Sequence, residues 1–127
     1  MSLAYVDTSC LVAIAFDEAS ATRTKTRLQG FDRIFSSNLL EAELRSALAR
    51  EGATSPQVHS LSWLTWVYPD RPLTPEFERI VPLGYLRGAD LWHVANALFL
   101  APDARELTFL TLDGRQREVA TRLGFAT

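Results

Sequence analysis

The chain has 127 residues, of which 47% are hydrophobic and 22% are charged. This composition predicts a single folded domain over residues 1–127 and excludes a disordered chain, which would lack core-forming side chains. The net charge of −2 provides no overall positive field. No apolar run approaches the roughly 20 residues of a membrane span, and one cysteine, Cys10, cannot form an internal disulfide. We therefore expect a cytoplasmic protein that does not enter a membrane.

The first half of the chain predicts two strands and several helical segments. The apolar run 3–6 ends at Asp7-Thr8-Ser9, which is typical of a buried strand followed by a helix cap. The elements predicted after it are helical segments at 10–16 and 17–29, a strand at 33–36 and a helix at about 39–50.

The second half continues the alternation. Ser55-Pro56 is typical of a helix start, and this helix would carry Leu61 and Leu64. The remaining predicted elements are a strand at 66–68, a helix beginning at Thr74-Pro75, a helix at 89–100, a strand at 107–112, a helix at 116–123 and a short segment at 125–126. Strands that alternate with helices predict an α/β fold with a parallel sheet, because parallel neighbours need a crossover.

Two aspartates follow the clearest strands. Asp7 closes the first strand and Asp113 closes the strand at 107–112. Ligands of open parallel sheets bind beyond the carboxyl ends of the strands, so both positions are candidates for function. Each aspartate alone could equally cap a turn or a helix.

The helix at 39–50 carries two glutamates with different neighbours. Glu41 has Arg45 four residues later, the spacing of an exposed ion pair. Glu43 has leucines behind it and Ala47 ahead, so its carboxylate lies on or beside the apolar stripe. A charge there needs a partner or a function.

Asp90 precedes a helix that is apolar nearly all round. It is either an ordinary helix cap or a fourth acid at the same sheet edge. His93 and Asn96 lie on this helix, and we interpret them as hydrogen-bonded core residues rather than ligands.

Acids that meet at one sheet edge would repel one another. A pair of unit charges about 4 Å apart costs on the order of 1 kcal/mol in water and about 4 kcal/mol at an effective dielectric of 20. The chain has no histidine or cysteine cluster suited to zinc, whereas an all-oxygen site suits Mg²⁺ or Mn²⁺. Such ions assist phosphodiester hydrolysis. The acids in question are Asp7, Glu43, Asp90 and Asp113.

Four strings support a family resemblance. VDTSCLVAI, SSNLLEAELRSAL, GADLWHVANAL and FLTLDGR, in this order, resemble the PIN domain and in particular the VapC-type toxin ribonucleases of bacterial toxin–antitoxin pairs. By this resemblance the four acids of the family fall on Asp7, Glu43, Asp90 and Asp113. Thr8 and Thr111 match small polar positions beside the site.

The resemblance implies a three-layer α/β/α fold with a five-stranded parallel sheet. It also implies an endoribonuclease that depends on Mg²⁺ or Mn²⁺, a homodimer, and an antitoxin that docks near the site. We expect Asp7 and Asp90 to be the metal ligands, with Asp113 close by. Glu43 would bridge through water or orient the attacking water.

Other functions stay open. A catalytically silent PIN-like binding or scaffold module is one alternative. A haloacid-dehalogenase-like phosphatase would have an acid where this chain has Ser9, and both it and a receiver domain would need a lysine near the site. The chain has a single lysine, Lys25, which precedes the second strand.

Two further groups bear on partners. RNA would be bound by arginines near the acids, for which Arg45, Arg87 and Arg115 are the candidates. An apolar surface for a homodimer could come from large side chains that one small domain does not obviously need, although each could instead pack in the core. These are Trp63, Trp66, Phe77, Val81 and Tyr85.

Overall fold

The computed structural model describes residues 1–52 and 61–127. The helix predicted from Ser55-Pro56 begins outside the described residues. The strands are β1 (Leu3–Val6), β2 (Arg33–Ser37), β3 (Leu64–Val67) and β4 (Thr108–Leu110). The helices are α1 (Thr8–Ala15), α2 (Ala21–Gln29), α3 (Leu39–Arg50), α4 (Thr74–Ile80), α5 (Gly88–Leu100) and α6 (Gly114–Leu123). Short 3₁₀ turns span Val81–Leu83 and Ala104–Glu106.

The strands form one parallel sheet in the order β3-β2-β1-β4. The predicted α/β fold with a parallel sheet is therefore confirmed. β1 lies between β2, which follows it in the chain, and β4, which comes last. The strand order thus reverses direction beside β1, and this switch point is where open α/β sheets bind ligands.

Helices cover both faces of the sheet. Successive strand residues point to opposite faces, so Ala4 and Val6 pack with α1, α2 and α3 while Tyr5 packs with α5 and α6. α5 is buried over most of its length, including Val94, Ala95 and Leu98. The sheet is thereby held between two layers of helices.

The observed elements shift several predicted boundaries. Leu64, expected in a helix, is the first residue of β3 and lies opposite Ile34 of β2. Backbone pairing along β2 decides this assignment over the local pattern. β4 is shorter than the predicted strand at 107–112 because it stops before Thr111, whose side chain turns to Asp7.

The predicted fifth strand is wrong, since the sheet in residues 1–52 and 61–127 has four strands. Ala126 forms only an isolated parallel bridge with Thr108, and its carbonyl accepts the Phe109 N–H at 2.8 Å. The neighbouring Phe125 ring packs into the core, 5.9 Å from the Phe109 ring. The pairing at this edge is therefore a single bridge, next to a residue that packs in the core. None of the helices within the described ranges has the length and apolar character needed to cross a membrane.

Candidate active site

The four acids line one cavity of about 350 Å³. It lies at the carboxyl ends of β1 and β4, which Asp7 and Asp113 directly follow. Asp90 lies in the first turn of α5, and Glu43 lies on α3. Side chains far apart in sequence thus meet at the switch point of the sheet.

Asp7 is buried, with 3% of its surface exposed. It occupies the position before α1, but its side chain makes no capping hydrogen bond. The Ser9 hydroxyl donates to Asp7 Oδ1 at 2.6 Å, and the Thr111 hydroxyl donates to Oδ2 at 2.7 Å. Burial raises the pKa of Asp7, and these two hydroxyls offset only part of that effect.

Thr111 serves two acceptors. Its Oγ1 lies 2.7 Å from Asp7 Oδ2 and 2.9 Å from Gln116 Oε1. Gln116 Nε2 donates to the Asp90 carbonyl at 3.1 Å, which fixes the orientation of the amide. One hydroxyl proton is therefore shared between two acceptors while Asp7 is ionised.

Glu43 is held through one of its oxygens. The Thr8 hydroxyl donates to Oε1 at 2.6 Å, and His93 Nε2 lies 3.0 Å from the same oxygen. The bond from His93 is the main cause that lowers the pKa of Glu43, against the opposing effect of burial. The Glu43 carboxylate is therefore ionised near neutral pH.

His93 connects Glu43 to the core. Its Nδ1 lies 2.8 Å from the Tyr5 hydroxyl, which accepts the Ser37 N–H at 2.9 Å. The Tyr5 proton is then available for Nδ1, so we assign the His93 hydrogen to Nε2, from which it is donated to Glu43. The expectation that His93 is a hydrogen-bonded core residue is confirmed, and it also touches a site acid.

Asp113 caps a helix and its charge acts on Asp90. Asp113 Oδ1 accepts the Gln116 N–H at 2.8 Å, so its interpretation as a helix cap is confirmed. Asp90 is not the cap of α5, because that position belongs to Arg87. Burial and, next, the negative charge of Asp113 raise the pKa of Asp90.

Asn96 differs from its prediction. Its Nδ2 donates to the Trp92 carbonyl at 2.8 Å, but the buried Oδ1 has no hydrogen-bond partner among the described residues. Asn96 was expected to be fully hydrogen-bonded, and this is wrong for one of its two polar atoms. The side chain does not line the acidic cavity.

The donor chemistry of the cavity fits a hard divalent cation. Its acids offer only oxygen ligands, and the mutual repulsion of Asp90 and Asp113 would be relieved by a positive ion. As they stand, however, no three Asp, Glu, His or Cys side chains within residues 1–52 and 61–127 converge to form a metal site. In this arrangement one or two carboxylates would hold the ion and water would complete its coordination, as is usual for Mg²⁺.

Sequence reasoning missed three supporting residues. Ser9 fixes Asp7, His93 fixes Glu43, and Gln116 links Asp113 to Thr111 and Asp90. Two of them have a local signal: Ser9 is a hydroxyl two residues after an acid, and Gln116 follows the cap Asp113 by three residues, the spacing of a capping box. The contact between His93 and Glu43 joins residues 50 apart, which no local spacing reveals.

The three arginines that are candidates for RNA binding have different surroundings. Arg45 pairs with Glu41 at 2.8 Å, as the spacing predicted. Arg87 lines the acidic cavity, and Arg115 lines the cavity next to it. Two of the three candidates therefore lie beside the acids.

The large apolar side chains do not form one patch. Trp66 and Phe77 are partly buried against the two cores. Trp63 lines an apolar cavity of about 570 Å³ together with Lys25, whereas Val81 and Tyr85 line a different cavity. Lys25 thus lies away from the acids, which disfavours the phosphatase and receiver alternatives.

Comparison with known families identifies a match over most of the chain. A family model described as PIN domain matches residues 4–122. No curated protein matches the sequence significantly. The matched region contains all four acids, the strands β2, β3 and β4, and all of β1 except Leu3.

Proposed function

The chain belongs to the PIN domain family, which has a nuclease-type fold and whose members are generally nucleases, and from this premise we propose that it is a metal-dependent endoribonuclease. We propose further that it is the toxin of a toxin–antitoxin pair. The observation that carries the enzymatic proposal is the single cavity lined by Asp7, Glu43, Asp90 and Asp113. A non-catalytic scaffold has no physical need for four acids that repel one another.

In this proposal Asp7 and Asp90 hold a Mg²⁺ or Mn²⁺ ion, with Asp113 beside them. When bound, the ion supplies Lewis-acid stabilisation of the phosphate and lowers the pKa of a bound water. The Ser9 and Thr111 hydroxyls fix both oxygens of Asp7, which limits its motion.

Glu43 has the role of orienting the attacking water and accepting its proton. Its lowered pKa keeps it ionised, as a general base requires. Thr8 and His93 both contact Oε1, so Oε2 makes no hydrogen bond with the described part of the chain. This oxygen is available to a water molecule. Arg87, which lines the same cavity, supplies positive charge for the phosphate.

The test is cleavage of RNA by the purified chain. We expect cleavage with Mg²⁺ or Mn²⁺, none with EDTA, and a loss of at least a hundredfold in Glu43→Gln. Glu41→Gln is the matched control, because Glu41 lies on the same helix but is paired with Arg45 outside the cavity. Equal activity of Glu43→Gln and Glu41→Gln would contradict the proposed site.

The toxin assignment has its own test in cells. Expression of the chain without a partner should produce a few discrete new RNA 5′ ends, and Asp7→Asn should produce none. Identical maps for the two proteins would overturn the nuclease proposal. Growth arrest that is relieved by a co-expressed neighbouring gene product would support the toxin role.

The homodimer and the antitoxin belong to the same proposal. Exposed Trp63 and Val81, which line two different cavities, provide apolar surface that water does not favour. Light scattering of the purified chain at tens of micromolar tests the dimer, and a monomer under these conditions would contradict it.

A further inference from the structure

A second cavity adjoins the acidic one. It also measures about 350 Å³ and shares Arg87, Asp90 and Asp113 with the acidic cavity. Its other side is lined by Tyr85 and Arg115. We call it the Tyr85 pocket. A molecule in this pocket would lie directly beside the four acids.

Tyr85 is an exposed aromatic residue, with 69% of its surface accessible. The guanidinium carbon of Arg115 lies 5.7 Å from the centre of its ring, within the range of a cation–π contact. The ring is therefore held at the surface instead of being buried in the core. An accessible aromatic ring beside a cation is the usual platform for an unpaired base.

The two arginines of the pocket, Arg87 and Arg115, are not paired with an acid of the described chain. Arg45, Arg50, Arg71, Arg105 and Arg122 form ion pairs with acids of the chain. Within the described ranges, Arg87 and Arg115 form none. Their guanidinium groups are therefore free to contact phosphate oxygens.

The segment that carries Tyr85 is fixed to α6. Arg122 of α6 donates to the Leu83 carbonyl at 2.6 Å. A Cβ atom at Gly84 would lie 3.0 Å from Val119 Cγ2, so glycine permits the close approach of this segment to the helix. Arg115 lies in the first turn of the same helix. The ring and the guanidinium are thus held on one framework.

We propose that the Tyr85 pocket binds the unpaired nucleotide next to the phosphate that is cleaved. The base stacks on Tyr85, and Arg87 and Arg115 contact the phosphates on either side. The inference rests on the proposed nuclease function. It makes the substrate single-stranded at the cleavage site, because a base within a duplex cannot stack on a protein ring.

Binding of a labelled single-stranded RNA oligonucleotide tests the pocket, with fluorescence anisotropy as the readout. The measurement uses the Asp7→Asn background in EDTA, so that cleavage does not interfere. Stacking is worth about 1–3 kcal/mol per base, so Tyr85→Ala should weaken binding by roughly tenfold. Tyr85→Phe keeps the ring and should bind within about twofold of the parent.

Tyr68→Ala is the matched control. Tyr68 is 67% exposed, almost the same as Tyr85, but it lines neither cavity. It should bind like the parent. Arg115→Gln should lower the slope of log Kd against log salt by about one, since one phosphate contact is lost. A duplex of the same sequence should bind more weakly than the single strand.

The outcomes separate this inference from the nuclease proposal. If the wild-type chain cleaves RNA but Tyr85→Ala binds RNA like Tyr68→Ala, the proposed role of the Tyr85 pocket is wrong and the nuclease proposal stands. If the wild-type chain cleaves nothing but Tyr85→Ala still weakens binding, the Tyr85 pocket binds a single-stranded nucleotide, whereas the nuclease proposal and the place of the pocket beside a cleaved phosphate are wrong. Absence of any RNA binding, or equal binding of duplex and single strand, would contradict the proposed role of the Tyr85 pocket.

Discussion

Ionised Asp7 lowers the stability of the fold, because its carboxylate competes with Gln116 for the single hydroxyl proton of Thr111. Asp7 Oδ2 and Gln116 Oε1 both face the hydroxyl, which can satisfy only one of them fully. A neutral group at position 7 that donates to Thr111 Oγ1 would release the hydroxyl proton to Gln116. The raised pKa of Asp7 agrees with this geometry.

Asp7→Asn should therefore abolish cleavage and stabilise the protein. The amide can accept from Ser9 and donate to Thr111, so we expect the free energy of unfolding to rise by about 1 kcal/mol, the worth of one hydrogen bond. Urea unfolding at neutral pH without metal measures it. Asp103→Asn is the control, because that exposed carboxylate is paired with Arg105 and its replacement should give no gain.

The stability gained by Asp7→Asn should depend on pH. The folded-state pKa of Asp7 is above its ordinary value of 3.8, so between these two values the folded protein binds more protons than the unfolded chain. The contribution of Asp7 to the stability of the wild type therefore falls as the pH rises through this window. The difference between Asp7→Asn and the wild type should consequently be small in acid and larger at neutral pH. A constant difference would contradict the assignment of burial as the cause.

His93→Leu should shift the pH dependence of activity. Without the bond to Oε1, the pKa of Glu43 rises toward its ordinary value of 4.5. The acidic limb of the rate profile should move to higher pH, because Glu43 must be ionised to act. A purely structural role of His93 would lower activity without moving this limb. Thr8→Ser, which keeps a hydroxyl donor, is the control and should leave the limb in place.

At the scale of elements, Asp113 combines two roles at the start of α6. It caps the helix through the Gln116 N–H, and its charge acts on Asp90. Asparagine caps helices as well as aspartate does, whereas alanine does not. We expect Asp113→Asn to keep the stability of the fold and Asp113→Ala to lose about 1 kcal/mol. Thermal unfolding of both variants, beside an activity assay in which both lose cleavage, separates capping from catalysis.

The sequence predicted the order of elements and the meeting of the acids well. β1, α3 and α5 lie within two residues of their predicted bounds, because capping residues and apolar periodicity mark them. The rule that ligands bind at the carboxyl ends of parallel strands is enough to predict that Asp7 and Asp113 lie at one edge of the sheet.

Features that depend on pairing between distant segments were not predictable in this way. Leu64 joins β3 because β2 offers a partner for its backbone, although the local pattern favoured a helix. The contact of His93 with Glu43 requires α5 to pack over the sheet beside α3. Neither property is present in a short window of sequence, because both depend on which elements become neighbours.

At the scale of the whole molecule, the four clustered acids predict that binding of a divalent cation stabilises the fold. A ligand that binds only the native state stabilises it by about 2.7 kcal/mol at a hundred times its Kd. Mn²⁺ should therefore raise the melting temperature of the wild type, and Asp90→Asn should remove the response. Asp103→Asn should retain it, since that residue lies outside the cavity. A wild-type protein whose melting temperature ignores Mn²⁺ would favour a non-catalytic scaffold.

The pairing of β4 with β1 also determines when the site can exist during synthesis. Asp7 leaves the ribosome early, but Thr111, which binds its carboxylate, follows 104 residues later. Until β4 has been translated and has joined the sheet, Asp7 and Asp113 cannot share a cavity. The proposed nuclease activity is therefore absent from a nascent chain until β4 has been translated, so the RNA of the ribosome that translates it is not exposed to a complete site before then. The order of the strands alone thus delays the proposed activity until β4 has joined the sheet, without any inhibitor.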